Sequence, residues 1–163
     1  MSKFVNIIAE KRRNKIRKNL YNSIQRTMLT EKGKFLSVRD VCRILNVDLS
    51  NVRLQANTNP DELLTGICAW DFYLLPGSLY AALPLYANLS PKQAILRGAR
   101  VLLTDKQEDD YPCIVVPNVM DAYCQLCGVI QSRFHPKTIA VTGSVGKTTT
   151  KDMVRAVVSQ KYD

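Results

Sequence analysis

The sequence predicts an α/β fold: a small α/β domain, then the opening strand, loop and helix of a second domain that is incomplete. Three observations predict it. Short apolar runs alternate with helical patterns between residues 66 and 134, which is typical of α/β proteins. A strand-like run, a glycine-bearing turn and a helical pattern follow in that order over residues 137–160. Only sixteen residues follow Lys147, too few to complete a domain that opens there.

Four short runs in the first domain predict strands. They are "GICAW" (66–70), "LYAAL" (79–83), "ARVLL" (99–103) and "CIVV" (113–116). Between the second and third runs, a helix is predicted that begins after Ser90, with Pro91 in its first turn.

Two further helices are predicted around these strands. The segment "SVRDVCRILN" (37–46) begins with Ser37 and has Asp40 three residues later, a shortened relative of the capping box. A long helix over about 118–134 ends at "HP" (135–136), because a residue before proline is pushed out of helical geometry. We place the domain boundary at this dipeptide. The predicted divisions are an arm (1–34), a first domain (35–135) and the start of a second (136–163).

Positive charge is concentrated in the N-terminal arm. Residues 1–34 contain ten Lys or Arg and two Glu, and so carry +8 of the chain's formal charge of +9. Apolar residues recur at every fourth position of a predicted amphipathic helix, namely at Ile16, Leu20, Ile24 and Met28. Such a basic helix suits packing on its own protein or, as the second alternative, an anionic membrane surface. Neither aromatic interleaving nor a base-reading motif indicates a nucleic-acid partner.

Composition favours a cytoplasmic protein. The apolar stretch "FVNIIA" is too short for a secretory signal and runs into a basic segment. The longest weakly charged region, 74–87, is interrupted by prolines and is shorter than the ~20 apolar residues of a spanning helix. The five cysteines are an odd number without framework spacing, which indicates free thiols in a reducing compartment.

One cysteine pair, Cys124 and Cys127 in "CQLC", has the spacing of metal ligands. A zinc site needs two further ligands, and the sequence offers no second such pair and a single histidine. A helical stripe predicts instead that Cys127 belongs to a packed helix face. Its members are Met120, Tyr123, Cys127, Ile130 and Phe134.

The segment "VTGSVGKTTTK" (141–151) carries the clearest chemistry. A strand, a glycine turn and a helix start aim backbone N–H groups inward, and the positive helix end adds attraction for phosphates. Lys147 is expected to reach the terminal phosphates of a nucleotide, and the hydroxyl of Thr148 to ligate Mg²⁺. The predicted nucleotide-binding residues are Gly143, Ser144, Val145, Gly146, Lys147, Thr148 and Thr149.

This loop has the shorter form Gly-x-x-Gly-Lys-Thr, because Val141 stands where the full pattern has a glycine. The alternative is a glycine-rich turn that merely caps a helix, and the order of strand, loop and helix favours phosphate binding over it. An unrelated nucleotide kinase or GTPase fits less well. Such proteins usually place the loop near the start of their domain, and here about 100 residues of a separate α/β unit precede it.

The segment "IAVTGSVGKTTTKDMV" (139–154) closely resembles the ATP-binding segment of the Mur ligases. Its residues are most similar to those of the members that add D-alanyl-D-alanine to a UDP-muramoyl tripeptide. Weaker resemblance occurs at 74–83, 94–105 and 113–134, so that the similarity covers roughly 35–163.

The resemblance implies a three-domain, ATP-dependent enzyme that forms amide bonds and uses ATP and Mg²⁺. The domains hold a UDP-linked muramoyl peptide, ATP and the incoming amine, and the reaction passes through an acyl-phosphate. The chain would hold the first domain and only the opening of the second. We therefore assign no catalytic residue in it and expect it to be inactive alone, since the family's later acidic Mg²⁺ ligand, its lysine and its third domain are missing.

Two departures from the family pattern affect the sugar-nucleotide site. Before the Pro-Gly turn the family usually has Asp-Ser-Arg, whereas this chain has Asp71, Phe72 and Tyr73. Tyrosine cannot copy the bidentate anion contact of arginine. The family's later Gly and Asp-Gly-His are also absent after residue 83. Asp71 is the one residue predicted to bind substrate. The alternative, held equally, is that Asp71 is simply a turn residue at the end of a strand. These departures favour, as the second hypothesis, a non-catalytic or decayed binding module with a divergent substrate.

Overall fold

The computed structural model describes residues 2–54, 58–83, 89–108, 110–135 and 137–161. Its helices and strands are α1 (Ser2–Thr30), α2 (Val38–Leu45), β1 (Ile67–Cys68), β2 (Leu79–Ala81), α3 (Pro91–Leu96), β3 (Val101–Thr104), β4 (Cys113–Val115), α4 (Val119–Phe134) and α5 (Lys147–Val158). Three short 3₁₀ helices lie at Lys32–Lys34, Leu49–Asn51 and Asp71–Tyr73.

The four strands form one parallel sheet in the order β1-β2-β3-β4. Leu79 lies opposite Ile67 on one side and Val101 on the other. Helix α3 lies between β2 and β3, whereas the described residues between β3 and β4, 105–108 and 110–112, contain no helix. The α/β fold class and the four strand positions predicted from the sequence are confirmed, although each strand is shorter than its apolar run or offset from it by a residue.

Helices cover both faces of the sheet, so β3 is buried at every position. Val101 and Leu103 face the layer that holds α2 and α4, while Leu102, between them, faces the layer of α3. Successive side chains of a strand point to opposite faces. A strand buried on both faces therefore reads as a continuous apolar run, which is how "VLL" appears in the sequence.

The predicted helix starts are confirmed by their capping hydrogen bonds. Ser37 Oγ accepts from the N–H of Asp40 at 3.1 Å, and the Asp40 carboxylate accepts from the N–H of Ser37 at 3.0 Å. Ser90 and Gln93 form the same reciprocal pair at the start of α3. These pairs satisfy N–H groups that the first turn of a helix leaves without an intrahelical acceptor.

The predicted strand over residues 137–142 is wrong. The segment joins no sheet, since a strand is defined by hydrogen bonds to a neighbour and none of the described strands pairs with it. Ile139 is 66% exposed, and no described side chain between 137 and 161 is buried. The helix that follows, α5, forms where the sequence predicted it.

Helix α1 forms in the arm, but its predicted apolar face is only half correct. Ile24 and Met28 are partly buried, whereas Ile16 is 47% exposed and Leu20 is 36% exposed. In this earlier half of the helix, Arg17 faces the domain and its Nη2 donates to the carbonyl of Leu74 at 2.6 Å. The surface beneath is polar there, so polar side chains of α1 face it. None of the described helices is long and apolar enough to cross a membrane.

Helix α4 is also rotated relative to its predicted stripe. Its buried residues are Val119, Ala122 and Leu126, which pack on the sheet and α2, whereas Met120 is 37% exposed. Tyr123 and Ile130 of the predicted stripe are partly buried against this core, whereas Cys127 is only half-buried and Leu126 takes the buried position that the stripe gave to Cys127. Within the described ranges, no group of three or more His, Cys, Asp or Glu side chains is placed to hold a metal ion.

Cys124 should be alkylated faster than the other four cysteines at pH 8. It is exposed, whereas Cys42, Cys68 and Cys113 are buried and Cys127 is half-buried. Burial raises the pKa of Cys42 and Cys127, and raises the pKa of Cys68 to about 11. A raised pKa leaves less thiolate, the reactive form, at pH 8. Timed labelling with iodoacetamide and peptide mass spectrometry measures the order. Labelling of Cys68 as fast as Cys124 would contradict the packing.

Candidate functional site

The loop that leads into α5 has a backbone that suits glycine. Gly143 has φ 143° and Gly146 has φ 82°. Gly146 is also the residue that caps the N-terminus of α5. Both φ values lie in a region that L-amino acids with a Cβ rarely adopt. The two glycines of the motif therefore stand where the turn into the helix requires them.

The first turn of α5 presents backbone donors. Its first intrahelical bond runs from the N–H of Thr150 to the carbonyl of Gly146, at 2.9 Å. The N–H groups of Lys147, Thr148 and Thr149 precede this bond, so no carbonyl of the helix lies one turn earlier to accept from them. The helix dipole adds partial positive charge at the same end. This end of α5 thus offers several N–H donors to an anion.

Lys147 folds back over the loop, where its ammonium donates to the carbonyl of Gly143. The other predicted residues are exposed, and Val145 is 90% exposed. An ammonium, consecutive backbone N–H groups and two threonine hydroxyls are the donors and the oxygen ligands that phosphates and Mg²⁺ prefer. These are the kinds of donor and ligand that a nucleotide with its magnesium ion needs, and the seven residues are consecutive, from the loop into the first turn of α5.

Asp71 lies apart from the loop, at the carboxyl end of β1, where it begins the 3₁₀ helix Asp71–Tyr73. Its carboxylate accepts from Nη1 of Arg97 at 3.2 Å, and both side chains are partly exposed. In open α/β sheets, ligands bind outside the carboxyl ends of the strands. Asp71 is thus a turn residue after a strand and, at the same time, stands where such sheets bind ligands.

Two arginines beside Asp71 were missed by sequence reasoning. Arg97 follows α3, and Arg17 lies on α1; both line a polar cleft with Asp71 and Phe72. No local pattern identifies them, because they lie 26 and 54 residues from Asp71 in the sequence. Only the packing of α1 and α3 around the end of β1 brings the three charged side chains together.

Phe72 and Tyr73, which replace the polar pair usual in the family, pack against each other. Their ring centroids are 4.9 Å apart in an edge-to-face arrangement. Tyr73 is 55% exposed and Phe72 lines the cleft. The 3₁₀ helix therefore presents an aromatic surface beside the Asp71–Arg97 ion pair, where the family pattern has a hydroxyl and a guanidinium.

The parallel sheet and the helices on its two faces define an α/β protein, and its glycine loop stands at the start of a helix. No family model matches the chain. It is 33% identical over 132 residues to a UDP-N-acetylmuramoyl-tripeptide–D-alanyl-D-alanine ligase of Synechocystis sp., which covers 77% of this chain and 28% of that protein. It is 34% identical over 117 residues to the ligase of that name from Escherichia coli, with 69% of this chain and 25% of that protein covered.

Solved structures agree on the fold. A UDP-N-acetylmuramoylalanyl-D-glutamyl-2,6-diaminopimelate–D-alanyl-D-alanyl ligase from Acinetobacter baumannii matches with a TM-score of 0.53 and 20% identity, over 78% of this chain and 28% of that one. The chain therefore belongs to the Mur ligase family and most resembles its D-alanyl-D-alanine ligases. It spans about a quarter of the length of these relatives.

Proposed function

We propose that this chain is the N-terminal part of an ATP-dependent ligase that adds D-alanyl-D-alanine to a UDP-muramoyl peptide in peptidoglycan precursor synthesis. The observation that carries the proposal is the loop at the start of α5, where Gly143 and Gly146 have positive φ and the ammonium of Lys147 donates to the carbonyl of Gly143. The similarity to D-alanyl-D-alanine ligases over most of the chain supports it. The proposal includes a cytoplasmic location, where ATP and nucleotide-linked precursors are available.

The proposal divides the chain into three parts. Residues 1–34 form the arm, 35–135 form the domain for the UDP-linked peptide, and 136–163 begin the ATP-binding domain. The reversal of the backbone at His135, which has φ 46° and ends α4, supports a boundary at this point. Met153 and Val157 on α5 are 65% and 72% exposed, which supports the proposal that the chain contains only part of the second domain. Apolar side chains of this kind are normally covered by the rest of a domain.

In the proposed reaction, the loop residues would hold ATP while its terminal phosphoryl group passes to the carboxylate of the muramoyl peptide, with ADP as the leaving group and an acyl-phosphate as the product. Lys147 neutralises charge on the terminal phosphates, and the N–H groups at the start of α5 hold phosphate oxygens. Thr148 supplies a hydroxyl ligand for Mg²⁺, which would neutralise further charge. The amine of D-alanyl-D-alanine then attacks the acyl carbon, and phosphate leaves. The residues of this chain bind and orient ATP, and none of them is assigned to the acyl transfer.

A second candidate is a non-catalytic module that binds a divergent ligand. The observation that favours it is the replacement beside Asp71, where Phe72 and Tyr73 stand as an aromatic pair and Arg97 pairs with the carboxylate. Under this alternative the loop still binds a nucleotide, but no ligation follows. Tight binding of a UDP-muramoyl peptide despite Phe72 and Tyr73 would remove its main support.

The complete polypeptide made by the source cells should be several hundred residues long and should ligate. Mass spectrometry that detects peptides from residues 35–135 measures its size. Ligation is then followed as ADP release that requires both the muramoyl tripeptide and D-alanyl-D-alanine. The 163-residue chain alone should show no turnover. A native species near 18.4 kDa, or repeated ATP turnover by the short chain, would contradict the proposal.

A further inference from the structure

A polar cleft lies between the arm helix and the domain on which it packs. Its walls are Glu10, Asn14 and Arg17 of α1, Asp71 and Phe72 of the 3₁₀ helix, and Arg97 after α3. Its volume is about 490 Å³. This lies within the ~300–1,000 Å³ that small-molecule sites usually have. The arm thus forms one wall of a space large enough for a ligand, and leaves that space open.

Two guanidinium groups line this cleft, one from α1 and one from the residue after α3. Arg17 uses Nη2 for the carbonyl of Leu74 at 2.6 Å, and Arg97 uses Nη1 for Asp71 at 3.2 Å. Each bond restricts one side chain to one orientation. A guanidinium has five N–H donors, so both groups keep further donors for a ligand.

The two carboxylates of the cleft balance the formal charge of its two arginines but leave N–H donors of both guanidinium groups unused. Asp71 is already paired with Arg97, and Glu10 is the other carboxylate of the lining. Residues 1–34, which include the α1 wall of the cleft, carry a net charge of +8, so this part of the chain attracts anions. Such a charge raises the local concentration of anions and their rate of association. Planar guanidinium groups also match the geometry of phosphate oxygens.

We propose that Arg17 of the arm and Arg97 together bind the diphosphate of a nucleoside-diphosphate-linked ligand in this cleft. This rests on the proposed function, in which the ligand is a UDP-linked muramoyl peptide. The arm then supplies a guanidinium to the side of the domain where Tyr73 stands in place of the family's arginine. Under this proposal, helix α1 forms part of a ligand-binding site.

The test measures UDP and inorganic pyrophosphate binding by isothermal titration calorimetry. All proteins carry Lys147→Ala, so that the glycine loop does not dominate the signal. Arg17→Ala should weaken binding of both probes about 10- to 100-fold, the effect expected for a lost hydrogen bond to a charged group. Lys18→Ala is the matched control, because Lys18 is the next residue of α1 and is exposed. It removes the same charge and should leave affinity within about twofold.

A second readout reports on the cleft directly. Trp70, the chain's single tryptophan, precedes Asp71 and is 45% exposed, so its fluorescence should change on addition of either probe. Arg17→Lys keeps the charge but loses the forked donors, and should bind with an affinity between those of the parent and Arg17→Ala. Circular dichroism of each variant checks that α1 remains folded.

The outcomes separate this inference from the proposed function. Equal or tighter binding by Arg17→Ala would overturn the inference and would mean that α1 covers the cleft. Equal losses in Lys18→Ala would also overturn it, by showing an effect of net charge alone. Pyrophosphate binding as tight as UDP binding, with both dependent on Arg17, would support the anion site and contradict a uridine-specific ligand. Absence of binding of both probes would overturn the site, with no bearing on ATP binding by the loop.

Discussion

Replacement of Lys147 by alanine should weaken ATP binding by the complete protein about 10- to 100-fold and reduce ligation further, because a charged hydrogen bond to phosphate is lost. The side chain already lies over the loop, where it donates to the carbonyl of Gly143. No other side chain in the loop, Gly143 to Thr149, carries a positive charge. Calorimetric titration with ATP and Mg²⁺ measures the loss, and a coupled ADP assay measures the rate.

Lys151→Ala is the matched control for this experiment. Lys151 lies one turn further along α5, is exposed and pairs with the neighbouring Asp152 at 3.1 Å. An exposed pair of this kind contributes little to stability. Its removal should leave ATP affinity within about twofold. If Lys147→Ala and Lys151→Ala had the same affinity as the parent protein, Lys147 would have no role in phosphate binding.

Leu103→Ala should lower the free energy of unfolding of the chain by about 2–5 kcal/mol, the usual cost of truncating a buried leucine. Leu103 lies in β3, is fully buried and packs against the layer of α2 and α4. Domains of this size are stable by only about 5–15 kcal/mol, so the loss is a large share of the total. Urea denaturation followed by circular dichroism gives the free energy of unfolding.

Leu96→Ala provides the comparison, since Leu96 is the last residue of α3 and is 76% exposed. The same atoms are removed, but from a side chain that is already largely in water. Its effect should stay within about 0.5 kcal/mol. Similar losses for Leu96→Ala and Leu103→Ala would contradict the packing of the sheet between two helical layers.

Most helices and strands could be predicted because their signals are local. Ser37 with Asp40, and Ser90 with Pro91 and Gln93, mark helix starts within a single turn. Continuous apolar runs such as residues 101–103 mark strands that are buried on both faces. The glycine loop was predictable for the same reason, since its turn, its cap and its lysine lie within a few residues of one another.

The predicted orientations of the helices were less accurate, because the elements that a helix packs against decide which of its faces is buried. The spacing of Ile16 and Leu20 is that of an apolar face, yet α1 meets a polar surface there and turns Arg17 toward the domain. Helix α4 packs with Leu126, one residue before the expected Cys127, because α2 and the sheet set its rotation. The predicted strand at 137–142 found no partner in the described sheet, and pairing is what makes a strand.

The sequence by itself determined the α/β class, the helix starts, the buried strands and the glycine loop, because each depends on residues that are close together along the chain. The tertiary structure alone decided which face of α1 lies on the domain and that Arg17, Asp71 and Arg97 line one cleft. These three residues come from three separate elements, and their distances depend on how the elements pack. A site of that kind has no signature in the sequence, since its charges meet only when helices dock at the end of a sheet.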